Sequence, residues 1–202
     1  MNEIVKDMPS LIQLLQSKLE DTPIWAISID GADGSGKTVL SSKLAITLDA
    51  SHVEVDTFLE RKKGSYIDYV KYGSLAETLV TLSSQNRRII VDAVCVRWIM
   101  EHISFVPNLT IYVKRMSTMG WWADSHRFPD NESFEEYFSK EQVALQAMSK
   151  LDAKSTYVPE PIDKPDLSKD LFRYHQAVKP HLTSDIILEH CWRPNQALKL
   201  TE

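Results

Sequence analysis

Apolar residues recur along the chain in two rhythms. Between residues 3 and 20, Ile4, Met8, Leu11, Leu15 and Leu19 stand three or four apart, the spacing of one helical face. Asp21-Thr22-Pro23 breaks that face. Ile24-Trp25-Ala26-Ile27-Ser28-Ile29 then forms a short apolar run rich in β-branched residues, which predicts a buried strand. Leu40, Leu44, Ile46 and Leu48 predict a helix from Lys37 to residue 48. His52-Val53-Glu54-Val55-Asp56 reads as a second strand, Leu75 to Leu82 as a helix, and Arg88-Ile89-Ile90-Val91-Asp92 as a third strand. A helix over 96–103 and a fourth strand, Leu109-Thr110-Ile111-Tyr112-Val113, follow. Helices over 132–151 and 167–177 and a fifth strand over 185–189 complete the pattern.

Strands alternating with helices predict an α/β fold with a mostly parallel five-stranded sheet, covered by helices on both faces. Three segments stand outside the alternation. Residues 57–74 are polar and aromatic, 114–130 carry paired tryptophans among basic residues, and 152–166 hold Pro159, Pro161 and Pro165 and read as an extended loop.

Size and charge narrow the function classes. A chain of 202 residues with 43% hydrophobic and 25% charged residues suits a single domain over 1–202. The formal net charge of -5 argues against nucleic-acid and membrane partners, which need a basic face. Cys95 and Cys191 lack any metal-site spacing, so neither zinc nor a disulfide framework is expected and a reducing compartment is. Met1-Asn2-Glu3-Ile4 does not begin a leader peptide, and no apolar run is long enough to span a bilayer. The expectation is a soluble, cytoplasmic protein. Nothing in the sequence marks an oligomeric interface.

The chemistry concentrates in Gly31-Ala32-Asp33-Gly34-Ser35-Gly36-Lys37-Thr38, a GxxxxGK[ST] pattern between a predicted strand and a predicted helix. Glycines let the backbone wrap an anion with its N–H groups pointing inward, and the helix adds its positive N-terminal end. Lys37 is expected to reach the β- and γ-phosphates of a nucleotide, and the Thr38 hydroxyl to ligate magnesium. ATP and Mg2+ are therefore the expected cofactors, with GTP as the open alternative. The fold class that follows is a three-layer P-loop NTPase fold with a lid.

Ligands of open α/β sheets gather beyond the carboxyl ends of the strands, where Asp56 and Asp92 both fall. Asp92 ends an apolar run of the Walker B type and is assigned to magnesium. Asp56 is assigned the role of general base or substrate-hydroxyl anchor. Swapped roles, or service as helix caps or turn residues, are the alternatives. The segment 114–130 reads as a lid. In it Lys114, Arg115, His126 and Arg127 flank Trp121 and Trp122, and Arg115 and Arg127 are the candidates to stabilise charge on a transferring phosphoryl group. A base-stacking role for either tryptophan is weighed against plain packing. Arg61-Lys62-Lys63 could meet a substrate phosphate, against the alternative of a solvated charge run. Tyr66, Tyr69 and Tyr72 read as a packing stripe that could also line an acceptor pocket.

Taken with its flanking residues, Ile29-Asp30-Gly31-Ala32-Asp33-Gly34-Ser35-Gly36-Lys37-Thr38 resembles the phosphate loop of uridine kinase-like bacterial nucleoside kinases. Val55-Asp56-Thr57-Phe58 resembles their second-strand acid. Arg173-Tyr174-His175 through Pro180, with Ser184-Asp185-Ile186-Ile187, resembles their closing helix and last strand. The resemblance implies a kinase that moves the γ-phosphoryl of ATP to a hydroxyl of a nucleoside or related metabolite, with Asp56 matching the hydroxyl-activating acid. Two departures stand out: Asp92-Ala93 where that family commonly has Glu-Gly, and Leu59-Glu60 near where it often has a tyrosine. The loop also resembles that of thymidylate kinases, whose Asp-Arg-Tyr/Phe signature is missing here. A GTP-dependent switch would show DxxG after the third strand, where this chain has Asp92-Ala93-Val94-Cys95. Ser149-Lys150-Leu151-Asp152 imitates a guanine motif but ends a helical pattern. A nucleotide-binding regulator without catalysis is the remaining alternative.

Overall fold

A computed structural model of the chain describes residues 2–60, 64–151 and 161–191. Its strands are β1 (Glu3–Val5), β2 (Ala26–Gly31), β3 (Ser51–Glu54), β4 (Ile89–Asp92), β5 (Leu109–Arg115) and β6 (Ile186–His190). Its helices are α1 (Met8–Lys18), α2 (Lys37–Thr47), α3 (Tyr72–Ser84), α4 (Val96–His102), α5 (Phe134–Leu151), α6 (Leu167–Val178) and the short α7 (Pro180–Thr183). The six strands form one sheet in the order β1-β6-β5-β2-β4-β3, and every pairing is parallel.

The sheet thus has six strands where the pattern predicts five. The extra strand lies inside the segment predicted as the first helix. Glu3, Ile4 and Val5 pair with Ile186, Ile187 and Leu188 at the sheet edge. The helix begins only at Met8, because Asp7 caps it by accepting the Ser10 N–H at 2.8 Å and Pro9 suits the first turn. Ile4 fits the helical spacing by coincidence and is 59% exposed.

Alternation along β2 divides the molecule into layers. Ile27 and Ile29 face α1 and α2, packing with Leu11, Leu15, Leu40, Leu44, Ile90 and Ile111. Ala26 faces the other side, with Ile89, Val91, Leu75, Leu79, Ile99 and Tyr174 from β4, α3, α4 and α6. A fully buried leucine contributes about 1.5–3 kcal/mol, so the two faces together hold the sheet between its helices. By the same alternation Asp30 faces α6, which decides its partner. All six residues of β2 are buried, as befits a central parallel strand.

The remaining differences lie at element ends. β3 stops at Glu54, and Val55–Phe58 coil into a 3-10 turn that carries Asp56 just past the strand. β5 continues two residues beyond the predicted end, so Lys114 and Arg115 belong to the sheet. In the segment predicted as a lid, a tight hairpin brings Met116 opposite Trp122, and Ser125–Arg127 form one 3-10 turn. Of the proline loop predicted over 152–166, residues 152–160 lie outside the described residues, as does Arg61-Lys62-Lys63.

Candidate active site

The loop between β2 and α2 is tightly turned and backed by buried polar groups. Gly31 holds φ at +156°, and a Cβ there would stand 2.6 Å from Ser35 Oγ and 2.9 Å from the Val113 carbonyl oxygen. Only glycine fits that approach. Gly36 takes φ at +91° as the residue before α2, turning the chain so that the helix N-terminus faces the loop. Lys37 is buried and its Nζ donates to the Ala32 carbonyl at 3.2 Å, so the ammonium bridges the mouth of the loop. Ser35 Oγ is buried and, among the described residues, has no hydrogen-bond partner. A buried hydroxyl without a partner, beside an ammonium and a helix N-terminus, is what a phosphate would satisfy.

Asp92 stands at the end of β4, the strand next to β2. Its Oδ2 accepts the Thr38 hydroxyl at 2.8 Å, and its Oδ1 meets His52 Nε2 from β3. The two residues assigned to magnesium from the sequence, Thr38 and Asp92, are thus brought together by a hydrogen bond. Among the described residues no cluster of three or more His, Cys, Asp or Glu is placed to hold a metal. Magnesium at a phosphate loop takes few protein ligands and fills its shell with phosphate oxygens and water, so a pair suits it.

Asp56 lies in the 3-10 turn just past β3, a strand that β4 separates from β2. Its side chain is exposed, and its Oδ1 accepts the Tyr66 hydroxyl at 2.5 Å. Burial and the Asp56 carboxylate push the Tyr66 phenol far up, so it stays protonated and donates.

Arg115, the last residue of β5, extends toward the loop: a Cβ on Gly34 would be 3.9 Å from its Nη1. Its Nη2 donates to Asp124 Oδ1 at 2.6 Å, and Arg127 Nη1 lies 3.6 Å from the same oxygen. Asp124 is fully buried, so one carboxylate gathers both candidate arginines. Lys114 instead pairs with Glu189 at 3.1 Å and lies over the Trp122 ring. Trp122 packs among Tyr112, Phe128 and His181, whereas Trp121 is 58% exposed. The two tryptophans therefore part company, one in the packing and one on the surface.

Two buried polar pairs lie under the site. Asp30 Oδ1 accepts the Gly31 N–H at 2.7 Å, and its Oδ2 accepts the Tyr174 hydroxyl from α6. Burial raises the Asp30 carboxyl to about 6. His175 contacts the Leu171 carbonyl through Nδ1 and the Tyr112 hydroxyl through Nε2, and burial lowers it to about 3. It is a neutral imidazole, stacked on Phe128 at 3.7 Å between ring centroids.

Sequence reasoning missed His52, Asp124 and Asp170 as neighbours of this site. His52 and Asp124 each stood in a segment read for other features. Of the tyrosines read as a packing stripe that could also line an acceptor pocket, Tyr66 is the one whose hydroxyl bonds Asp56. No spacing rule links Asp170 to residue 66. Ser149 and Lys150 fall in the last turn of α5, as a chance imitation of a guanine motif would, and Asp152 is outside the described residues.

No family model matches this sequence, and no curated protein matches it. Among solved structures, that of a possible uridine kinase from Bacillus stearothermophilus is 12% identical with a TM-score of 0.45, over 90% of this chain and 98% of the other. A protein provisionally named a kinase, from Chloroflexus aurantiacus, is 15% identical with a TM-score of 0.41, over 87% of this chain and 92% of the other. At these similarities neither neighbour informs the chemistry, which stands on the residues of the site.

Proposed function

We propose that this chain is an ATP- and magnesium-dependent kinase that moves the γ-phosphoryl of ATP to a hydroxyl of a nucleoside, uridine- or cytidine-like, or of a related small metabolite. One observation carries the reading. The glycine loop with its orphaned Ser35 hydroxyl and buried Lys37 lies beside the Thr38–Asp92 pair.

Each residue then has a task. The loop amides and Lys37 hold the triphosphate and balance its charge. Thr38 and Asp92 hold magnesium, which when bound screens the β- and γ-phosphate oxygens. Arg115 approaches the loop from β5 and offers charge to the transferring group, while Asp124 holds Arg115 by a hydrogen bond and attracts Arg127 at longer range. Asp56 accepts the proton of the attacking hydroxyl. A bond forms between the acceptor oxygen and the γ-phosphorus. The bond from that phosphorus to the β–γ bridging oxygen breaks, and ADP leaves with the electron pair.

The direct test is ADP release from MgATP across a panel of nucleosides, nucleoside monophosphates and other hydroxyl metabolites. Stimulation by a nucleoside supports the reading. Stimulation only by a monophosphate favours a thymidylate kinase-like enzyme. No stimulation by any acceptor, with intact nucleotide binding, points to a non-catalytic regulator.

A further inference from the structure

Tyr66 reaches Asp56 from the segment before α3, and a third element sets its place. Residues 64–71 return beneath the 3-10 turn of Asp56: Glu60 N–H donates to the Tyr69 carbonyl at 2.8 Å and Lys71 N–H to the Phe58 carbonyl at 2.8 Å. From the opposite side, Asp170 in the first turn of α6 grips the same segment. Its Oδ2 accepts the Ser65 hydroxyl at 2.8 Å, the Tyr66 N–H at 2.7 Å and the Ile67 N–H at 3.4 Å. Asp170, Ser65 and Tyr66 are all buried.

We propose that Tyr66 is the positioning residue of the Asp56 carboxylate, and that Asp170 positions Tyr66. The proposal rests on the kinase reading above and adds to it the group that aims the base. An exposed aspartate samples several rotamers, and each wrong one takes its oxygens out of line with an acceptor hydroxyl. One donor on Oδ1 fixes the carboxylate plane and leaves Oδ2 for the acceptor. The other ionisable groups facing the Tyr66 phenol are Asp92 at the end of β4 and Cys95 just before α4. Among the described residues neither has a hydrogen bond to Asp56, and Asp92 is engaged by Thr38 and His52. One helical turn beyond Asp170, Tyr174 bonds Asp30 at the root of the phosphate loop. A single helix therefore sets both the base and the loop.

The experiment compares the full chain with Tyr66→Phe, Asp170→Ala, Asp170→Asn, Asp56→Asn and the double variant Tyr66→Phe/Asp56→Asn, using MgATP and the best acceptor from the panel. Tyr66→Phe and Asp170→Ala should each lower kcat on the order of 10- to 100-fold with the KM for ATP nearly unchanged. Asp170→Asn keeps an acceptor oxygen and should recover most of the loss. Adding Tyr66→Phe to Asp56→Asn should cost nothing more, because the phenol acts through the carboxylate. The split between kcat and KM, rescue by Asp170→Asn and the absence of any added cost in the double variant separate positioning from mere support of the fold. Wild-type kcat in Tyr66→Phe or an additive double variant overturns the proposal alone. Absence of acceptor-stimulated ADP release in the unaltered chain overturns the kinase reading, and the proposal with it.

Discussion

The hydroxyl of Thr38 donates to Asp92 Oδ2 at 2.8 Å and so ties the first turn of α2 to the end of β4. The contact exists because β4 lies directly against β2, with Ile29 opposite Asp92, and because the loop delivers Thr38 one residue into its helix. If the pair holds magnesium, Asp92→Asn should raise the magnesium concentration for half-maximal turnover on the order of tenfold or more, while the far-UV circular dichroism stays unchanged. A magnesium titration of ADP release checks this. An unshifted midpoint would make the contact a structural hydrogen bond.

Asp56→Asn should lower kcat on the order of 100-fold or more and leave ATP affinity within a few-fold. Asparagine keeps the acceptor oxygen for Tyr66 but cannot take a proton at neutral pH. Steady-state kinetics paired with calorimetry separates the two quantities. Equal losses in both would make Asp56 a structural residue.

Asp30 and His175 should oppose each other in the dependence of stability on pH. The Asp30 carboxyl is raised from 3.8 to about 6, so between those values the folded chain holds a proton that the unfolded chain has released. Its contribution falls as pH rises through that window and is constant above it. His175 is lowered from 6.5 to about 3, so as pH falls through that window the unfolded chain gains a proton that the folded chain refuses. Its contribution therefore falls as pH falls. Asp30→Asn isolates the first effect. Relative to wild type, the variant should gain stability steadily from about pH 4 to about pH 6, approaching about 3 kcal/mol at most. Denaturant unfolding at several pH values measures the difference. A gap that does not change with pH would contradict the role given to burial.

Arg115→Ala should cost both activity and stability, because it removes charge near the loop and leaves Asp124 buried with only the more distant Arg127. Loss of a buried charge partner costs about 3–5 kcal/mol when nothing else compensates, an upper limit here since Arg127 remains. Arg127→Ala should destabilise less, given its 3.6 Å separation from Asp124. Thermal unfolding of both variants ranks them, and the reverse order would refute this reading of the triad.

The central strands and the glycine loop between β2 and α2 were legible because their signals are local. The run through Ile27 and Ile29 is apolar because β2 is buried on both faces, and the glycine pattern follows directly. The first strand was not legible. Three residues at an edge carry too little pattern, and Ile4 happened to match the helical period of α1. Arg115 was read into a lid because nothing in Lys114-Arg115 announces that β5 runs on to pair with His190. The support of the site was hidden for a different reason. Asp124, Asp170 and Tyr66 act through contacts between segments far apart in sequence, and no single-sequence periodicity records such pairings. The exposed tryptophan shows the same limit from the other side. Trp121 and Trp122 are adjacent and chemically alike, yet the hairpin turns only Trp122 inward.

Isothermal calorimetry of MgATP titrated into the full chain and into Lys37→Ala bears most directly on the phosphate cradle. Expected is saturable binding at one site in the full chain, weakened at least about tenfold in the variant, which lacks the ammonium that bridges the loop. No binding of any nucleoside triphosphate with divalent metal, or equal affinity in the two proteins, would contradict a nucleotide site at residues 31–38.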